Sequence, residues 1–435
     1  MASPYDRLKL LRDDLDVALA AMQETPPEPE PPEPPAIVST PEEFDAALGS
    51  AVAGETIVCA VTLVYTAALT IRASDITIRS EHEGNSRMTA QDPAPSFMGA
   101  VRIEGANVTL VGLALSNSKL VDILVLVGAG AKIDRCRILG DPIDGSKRGI
   151  AANAADVLIT RCFIDDCFGS YPGNDTQAIC AWDTPGPITI TDNYLCGGSE
   201  TIMFGGSDPS CEANVPADIL IANNTITKDP AWQSMPIGVK NTLELKNARR
   251  VRIVANEISY SWGGHGQDGY LLMLTPRNQN GGAPYSTIED VLITDNIFRC
   301  AAAAINILGT DDNQPCERMT RVTIQDNRFE ELDPKLYAGS NKMIQISDGP
   351  TQVTIDANQF EGEHIGSQIY FNGAPPCEDL IVTDNVFPAS TYGVFGNNCS
   401  TGNGSNGLPN AWNTYVASGT YAGNTTTPAA DKEVW

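Results

Sequence analysis

Val291–Phe298 reads VLITDNIF, Val322–Phe329 reads VTIQDNRF and Val353–Phe360 reads VTIDANQF. In each, apolar residues alternate, an asparagine follows, and one position later comes another apolar residue. Working outward, the pattern recurs at Ile188–Leu195 (ITITDNYL), Ile219–Ile226 (ILIANNTI), Val251–Ile258 (VRIVANEI) and Leu380–Phe387 (LIVTDNVF). The asparagines are Asn193, Asn224, Asn256, Asn296, Asn327, Asn358 and Asn385, separated by 31, 32, 40, 31, 31 and 27 residues. Upstream, AKIDRCRI and VLITRCFI put Cys136 and Cys162 in the same slot, and the segments from Val108 (VTLVGLAL) and Ile76 (ITIRSE) are degenerate copies.

Alternation of period two describes a strand with one buried face. A unit repeating at this length buries that face by stacking on its own copies. At strand spacing, about 4.8 Å, each asparagine amide meets the next, and asparagine tolerates a left-handed turn better than other non-glycine residues. A second strand precedes each copy (TIMFGG near Met203, NTLELK near Leu243, AINILG near Ile305, KMIQIS near Ile344, QIYFNG near Tyr370), and a third short one follows the asparagine. The pattern predicts an all-β chain: a single-stranded right-handed parallel β-helix of about eleven coils over residues 37–390. The 3.6-residue period of an α-solenoid is missing.

The flanks read differently. TPEEFDAAL from Thr40 predicts a short capping helix, with Thr40 as N-cap, Pro41 at the first position and Glu43 closing a capping box; it would cover the open first coil. Residues 26–36 hold PPEPEPPEPP, an extended polyproline spacer. In residues 1–25, Leu8, Leu11, Leu15, Ala18 and Met22 fall on heptad a and d positions, predicting an anchoring or self-associating helix, with a trimer favoured. Residues 391–435, rich in Gly, Asn, Ser and Thr, are expected to cap the last coil.

With 54 acidic and 28 basic residues the net charge is −26, which repels a phosphate backbone and excludes nucleic acid as a partner. No run approaches the roughly 18 apolar residues of a membrane span, and the charged N-terminus lacks the apolar core of a signal peptide. The eleven cysteines, an odd number, show no zinc-ligand spacing. Cys136 and Cys162 are expected as small core residues, and neither metal nor cofactor is expected.

FGGSDPS (204–210), NTLELKNARRVRIVANEI (241–258), LTPRNQNGGAPYSTIEDV (274–291) and INILG (305–309) carry a resemblance to the large family of bacterial right-handed β-helix repeat proteins, running from roughly Ile37 to Ala429. The resemblance implies a pectate-lyase-like fold and contact with carbohydrate. The layout of anchor, spacer and β-helix resembles phage spikes and tail or capsid decorations. It implies a virion-attached protein, assembled in the host cytoplasm, docked on a particle protein through its N-terminal helix and meeting surface polysaccharide. Two alternatives stay open: a polysaccharide lyase or glycoside hydrolase on the same scaffold, and an intracellular bacterial protein.

In NTLELK, alternation turns Leu243 and Leu245 inward and leaves Glu244 and Lys246 outside. Outward carboxylates on adjacent or alternate coils suit the glycosidase separations of about 5 Å or about 6.5–9.5 Å, whereas a lyase needs a Lys or Arg base. Asp183, in AWDTPG, lies two coils earlier, and the longest insertion brings His265, Asp268 and Arg277. Glu244, Asp268, Arg277 and Asp183 are therefore the catalytic candidates, and Lys246, Trp262, His265 and Tyr270 the substrate-binding ones. The structural alternatives are a solvated Glu244–Lys246 pair, an Arg277 that ties down its loop, and aromatic rings that cover coil edges.

Overall fold

The computed structural model describes residues 35–65, 68–81, 87–92, 94–117, 119–141, 143–169, 174–397, 399 and 407–428. The heptad residues Leu8, Leu11, Leu15, Ala18 and Met22 lie outside these. One compact unit spans Ala36–Trp435. Its strands form three parallel sheets of 14, 13 and 12 strands, beside one two-stranded antiparallel hairpin. In one coil the chain passes through Ile188–Thr191, Tyr194–Gly197 and Glu200–Phe204, one strand per sheet, and Ala217–Ala222 then pairs in register on the first of these. This is a right-handed parallel β-helix. The sheets run a little beyond the eleven coils legible in the repeat, because a strand at Leu69–Ile71 and a last coil at Gly419–Ala422, outside the repeats read from the sequence, stack as well.

Inward positions build continuous columns. On the 14-stranded sheet Ile133, Ile159, Ile190, Ile221, Ile253, Ile293, Ile324 and Ile355 are fully buried, each contributing about 1.5–3 kcal/mol of transfer free energy. Next to the asparagine slot, Phe298, Phe329, Phe360 and Phe387 stack with centroids 4.5, 4.6 and 5.0 Å apart.

The slot itself is a hydrogen-bonded ladder. Asn224 Oδ1 accepts both the backbone N–H and the side-chain N–H of Asn193, each at 2.9 Å, and the arrangement repeats through Asn256, Asn296, Asn327, Asn358 and Asn385. Asn424 adds a further rung. Cys162 N–H donates to Asn193 Oδ1 at 2.8 Å, and Cys136 N–H to Cys162 Sγ at 3.4 Å. The left-handed residue is not the asparagine but the one before it: Asp192, Asn223, Ala255, Asp295, Asp326, Ala357 and Asp384 have φ of 52–60°. That residue makes the corner, and the asparagine that follows is buried.

At the N-terminal end, helix α1 (Pro41–Ser50) carries the capping residues: Glu43 N–H donates to Thr40 Oγ1 at 3.1 Å and Ser39 N–H to Glu43 Oε2 at 2.7 Å. Its Phe44 is fully buried, 5.2 Å from the Phe97 ring. At the other end, helix α2 (Gly407–Tyr415) sets Tyr415 against Phe371, 5.9 Å between centroids. All eleven cysteines are free thiols.

Candidate functional site

The outer face of the 12-stranded sheet presents one column of side chains in register: Cys180, Met203, Glu244, Met273, Asn306, Gln345, Tyr370 and Phe395. Its first three members are buried and the rest, from Met273 on, are half-buried. Tyr370 lies under Lys342 Nζ, 4.1 Å from the ring centroid, and 5.9 Å from Phe395, which in turn lies 5.5 Å from the exposed Tyr392. The column is thus a floor whose open half carries two amides and then aromatic rings.

The segments that enter and leave this sheet are the long ones, and they are stitched to one another from coil to coil. On the exit side, Asp208 accepts the N–H groups of Asn280 and Gly282, and Tyr285 donates to Pro209 O. Arg277 pairs there with Asp311 at 2.9 Å and also with Asp312. Asp183 accepts Ser210 N–H at 2.9 Å and its hydroxyl at 2.8 Å. On the entry side Phe168, Trp232, Ile237, Val239, Trp262 and Tyr337 form a second small apolar core. The Gly263–Gly264/Gln267–Asp268 hairpin bonds to the segment after Tyr337 through Gly263 N–H to Tyr337 O and Ser340 N–H to Asp268 O.

Most residues singled out from the sequence therefore belong to these two walls. Arg277 and Asp183 hold loops, and His265 and Asp268 sit exposed on the hairpin. Trp262 is buried in the small core and Tyr270 is wholly buried, its hydroxyl 3.2 Å from Ser340 Oγ, so neither ring offers a stacking face. Glu244 and Lys246 are on the floor, but Glu244 is not solvated: it is 3% exposed, with Asn241, Lys246 and Thr275 against its carboxylate.

Beside Glu244 the structure places a second carboxyl that sequence reading missed, Glu200, on the adjacent coil and fully buried. Asn241 Nδ2 donates to Glu244 Oε2 at 3.0 Å, and Lys246 Nζ lies 3.7 Å from Oε1. Glu200 accepts Gln177 Nε2 at 2.7 Å, and Lys240 Nζ lies 3.5 Å from its Oε1 and 2.6 Å from Asp175. Burial, reinforced by the charge of Glu244, pushes the Glu200 carboxyl up to about 7. The Glu244 charge holds Lys246 above the usual lysine range. The only sequence signal for Glu200 was an acid opening the TIMFGG strand.

A second concavity runs over the 13-stranded sheet. Asp165, Asp166, Lys228, Asp229, Glu257, Arg299 and Glu331 line a cavity of about 530 Å³, and Glu331 is shared with a neighbouring one of about 690 Å³. Asp166, Tyr260, Cys300 and Glu331 all have positive φ here, costing of order 1–3 kcal/mol each. Burial and the adjacent Asp165 push Asp166 up to about 6. Lys228 is buried, with its ammonium within 3.1 Å of the carbonyls of Gly197, Gly198 and Ser199, and Arg299 is paired with Glu257. Asp333, Glu363 and His364, in the second cavity, bring metal-ligand-type atoms within 4.8 Å of one another. No helix among the described residues is long and apolar enough to cross a membrane.

No family model matches the sequence, and no curated protein matches it. Solved structures with a similar course include the Dettilon tailspike protein (TM-score 0.47, 12% identity, 89% of this chain and 64% of that one). A mannuronic acid-specific family 6 polysaccharide lyase from human gut microbiota gives TM-score 0.46 and 12% identity over 90% of this chain and 82% of that one. The Streptococcus pneumoniae surface adhesin PfbA gives 0.44 and 13% over 83% and 88%. The chain spans under two thirds of the tailspike's length. What the chain's own three parallel sheets establish is that it is a right-handed parallel β-helix protein.

Proposed function

We propose that this protein is a β-helical spike or decoration, carried on a virion by its N-terminal segment, that holds a polysaccharide strand lengthwise on the floor of the 12-stranded sheet. The observation that carries the glycan reading is the half-buried column Asn306–Gln345–Tyr370–Phe395 between two stitched walls. Amides give and accept hydrogen bonds with sugar hydroxyls, and aromatic faces take the apolar face of a sugar ring. Their spacing, about 4.8 Å per coil, continues along the axis, so contacts add up along a chain molecule.

The test is retention of wild-type protein and of Tyr370→Ala and Phe395→Ala on a panel of neutral, amino and uronic polysaccharides. One or more glycans should retain the wild type, and each ring loss should weaken that binding about tenfold, or about 1.4 kcal/mol. No retention on any glycan would sink the reading. A degrading enzyme is the second reading, favoured by the paired carboxyls Glu200 and Glu244. Release of reducing ends, abolished by Glu244→Gln, would establish it.

A further inference from the structure

Six buried side-chain polar atoms among the described residues lack a hydrogen-bond partner, and three of them share one place. Arg148 Nε, Gln177 Oε1 and Glu200 Oε1 belong to residues that are register partners on three consecutive strands of the 12-stranded sheet. Gln177 and Glu200 are fully buried, and the Arg148 side chain is 13% exposed. Native interiors rarely strand polar atoms, so each one calls for an explanation, and chance does not line three up on adjacent coils.

The surroundings narrow the explanation. Gln177 and Glu200 are already joined through their other atoms, Nε2 to Oε2. Arg148 spends Nη1 on Asp122 at 3.1 Å and stacks its guanidinium 4.8 Å over the Trp182 ring. What is left without a hydrogen bond is the Arg148 Nε donor beside Gln177 Oε1 and Glu200 Oε1, the last with only the Lys240 ammonium 3.5 Å away, on coils about 4.8 Å apart. A simple anion would satisfy only the donor, and a cation only the acceptors. A group that both gives and accepts, several times along a line, is a set of hydroxyls on one sugar ring.

We propose that Arg148, Gln177 and Glu200 form a sugar-hydroxyl subsite at the N-terminal end of the floor, closed in this structure by Lys240. The Lys240 ammonium bridges the rim and the base, 2.6 Å from Asp175 and 3.5 Å from Glu200 Oε1. Asp175 is 47% exposed and Lys240 25%. Lys240 reaches this position from the half-exposed Asp175, and its long flexible stem allows the ammonium to follow that carboxylate outward. This subsite extends the glycan reading above and rests on it.

The experiment is saturation-transfer NMR on the full chain with free glucose, galactose, mannose and N-acetylglucosamine as probes, for wild type, Lys240→Ala and Gln177→Leu. Lys240→Ala, which removes the closing side chain, should raise the transfer from at least one sugar several-fold. Gln177→Leu, checked for an unchanged melting profile, should remove it. A crystal structure of Lys240→Ala soaked in that sugar should show its hydroxyls on the three stranded atoms. The inference fails if neither wild type nor Lys240→Ala takes up any sugar and the three atoms share only ordered water. It fails equally if transfer survives in Gln177→Leu. Those failures with polysaccharide retention intact would leave the floor reading standing; loss of retention itself would remove both.

Discussion

Deleting one ladder amide strands several groups at once. Asn256 Oδ1 takes two N–H groups of Asn224, and its Nδ2 serves Ile221 O and Asn296 Oδ1. Asn256→Ala should therefore cost more than a solitary hydrogen bond, about 2–4 kcal/mol, read as a fall in the urea midpoint. Asn256→Asp should cost at least as much, because a second oxygen would face Asn296 Oδ1. Glu200 gives a pH signature instead. Its folded pKa of about 7 lies above the ordinary 4.5. Its contribution to stability is thus full below about 4.5 and is lost as pH rises through about 7, a change on the order of 3 kcal/mol. Glu200→Gln should flatten the melting temperature over that window and raise it near pH 8; an unchanged pH profile would refute the assignment.

The ladder was legible in the sequence because its signal is periodic: Asn296, Asn327 and Asn358 recur at one spacing, each followed by the same apolar partner. Glu244 was legible as an outer-face residue by alternation alone. Its burial was not, because alternation does not show that Asn241 and Lys246 fold back on it or that Thr275 of the next coil reaches it. The Arg148–Gln177–Glu200 row was invisible for a related reason: its members are 29 and 23 residues apart, so no fixed offset links them. Loop length varies between strands while register does not. At this scale two further outcomes are expected. Arg277→Ala should speed amide exchange in both 275–287 and 309–319, whose ends it joins, and lower the melting temperature, since it leaves the buried Asp311 carboxylate without its cation. Phe44→Ala should cost about 3–5 kcal/mol, with exchange rising first in the coil under α1.

At the scale of the molecule, the β-helix is expected to fold without the residues that precede it. Removing residues 1–35 should leave the melting profile and glycan retention intact while abolishing incorporation into particles; particles that still carry the truncated chain would refute the anchoring role. Neighbouring coils of the β-helix each repeat the same bonds. That repetition has an evolutionary consequence. Between Asn296 and Asn327, or Asn327 and Asn358, the chain advances one full turn in 31 residues and returns to the same bonding geometry. A duplication of that length inserts a rung without displacing its neighbours, so descendants can grow or shrink by whole turns, and reach can be selected independently of what the surface recognises.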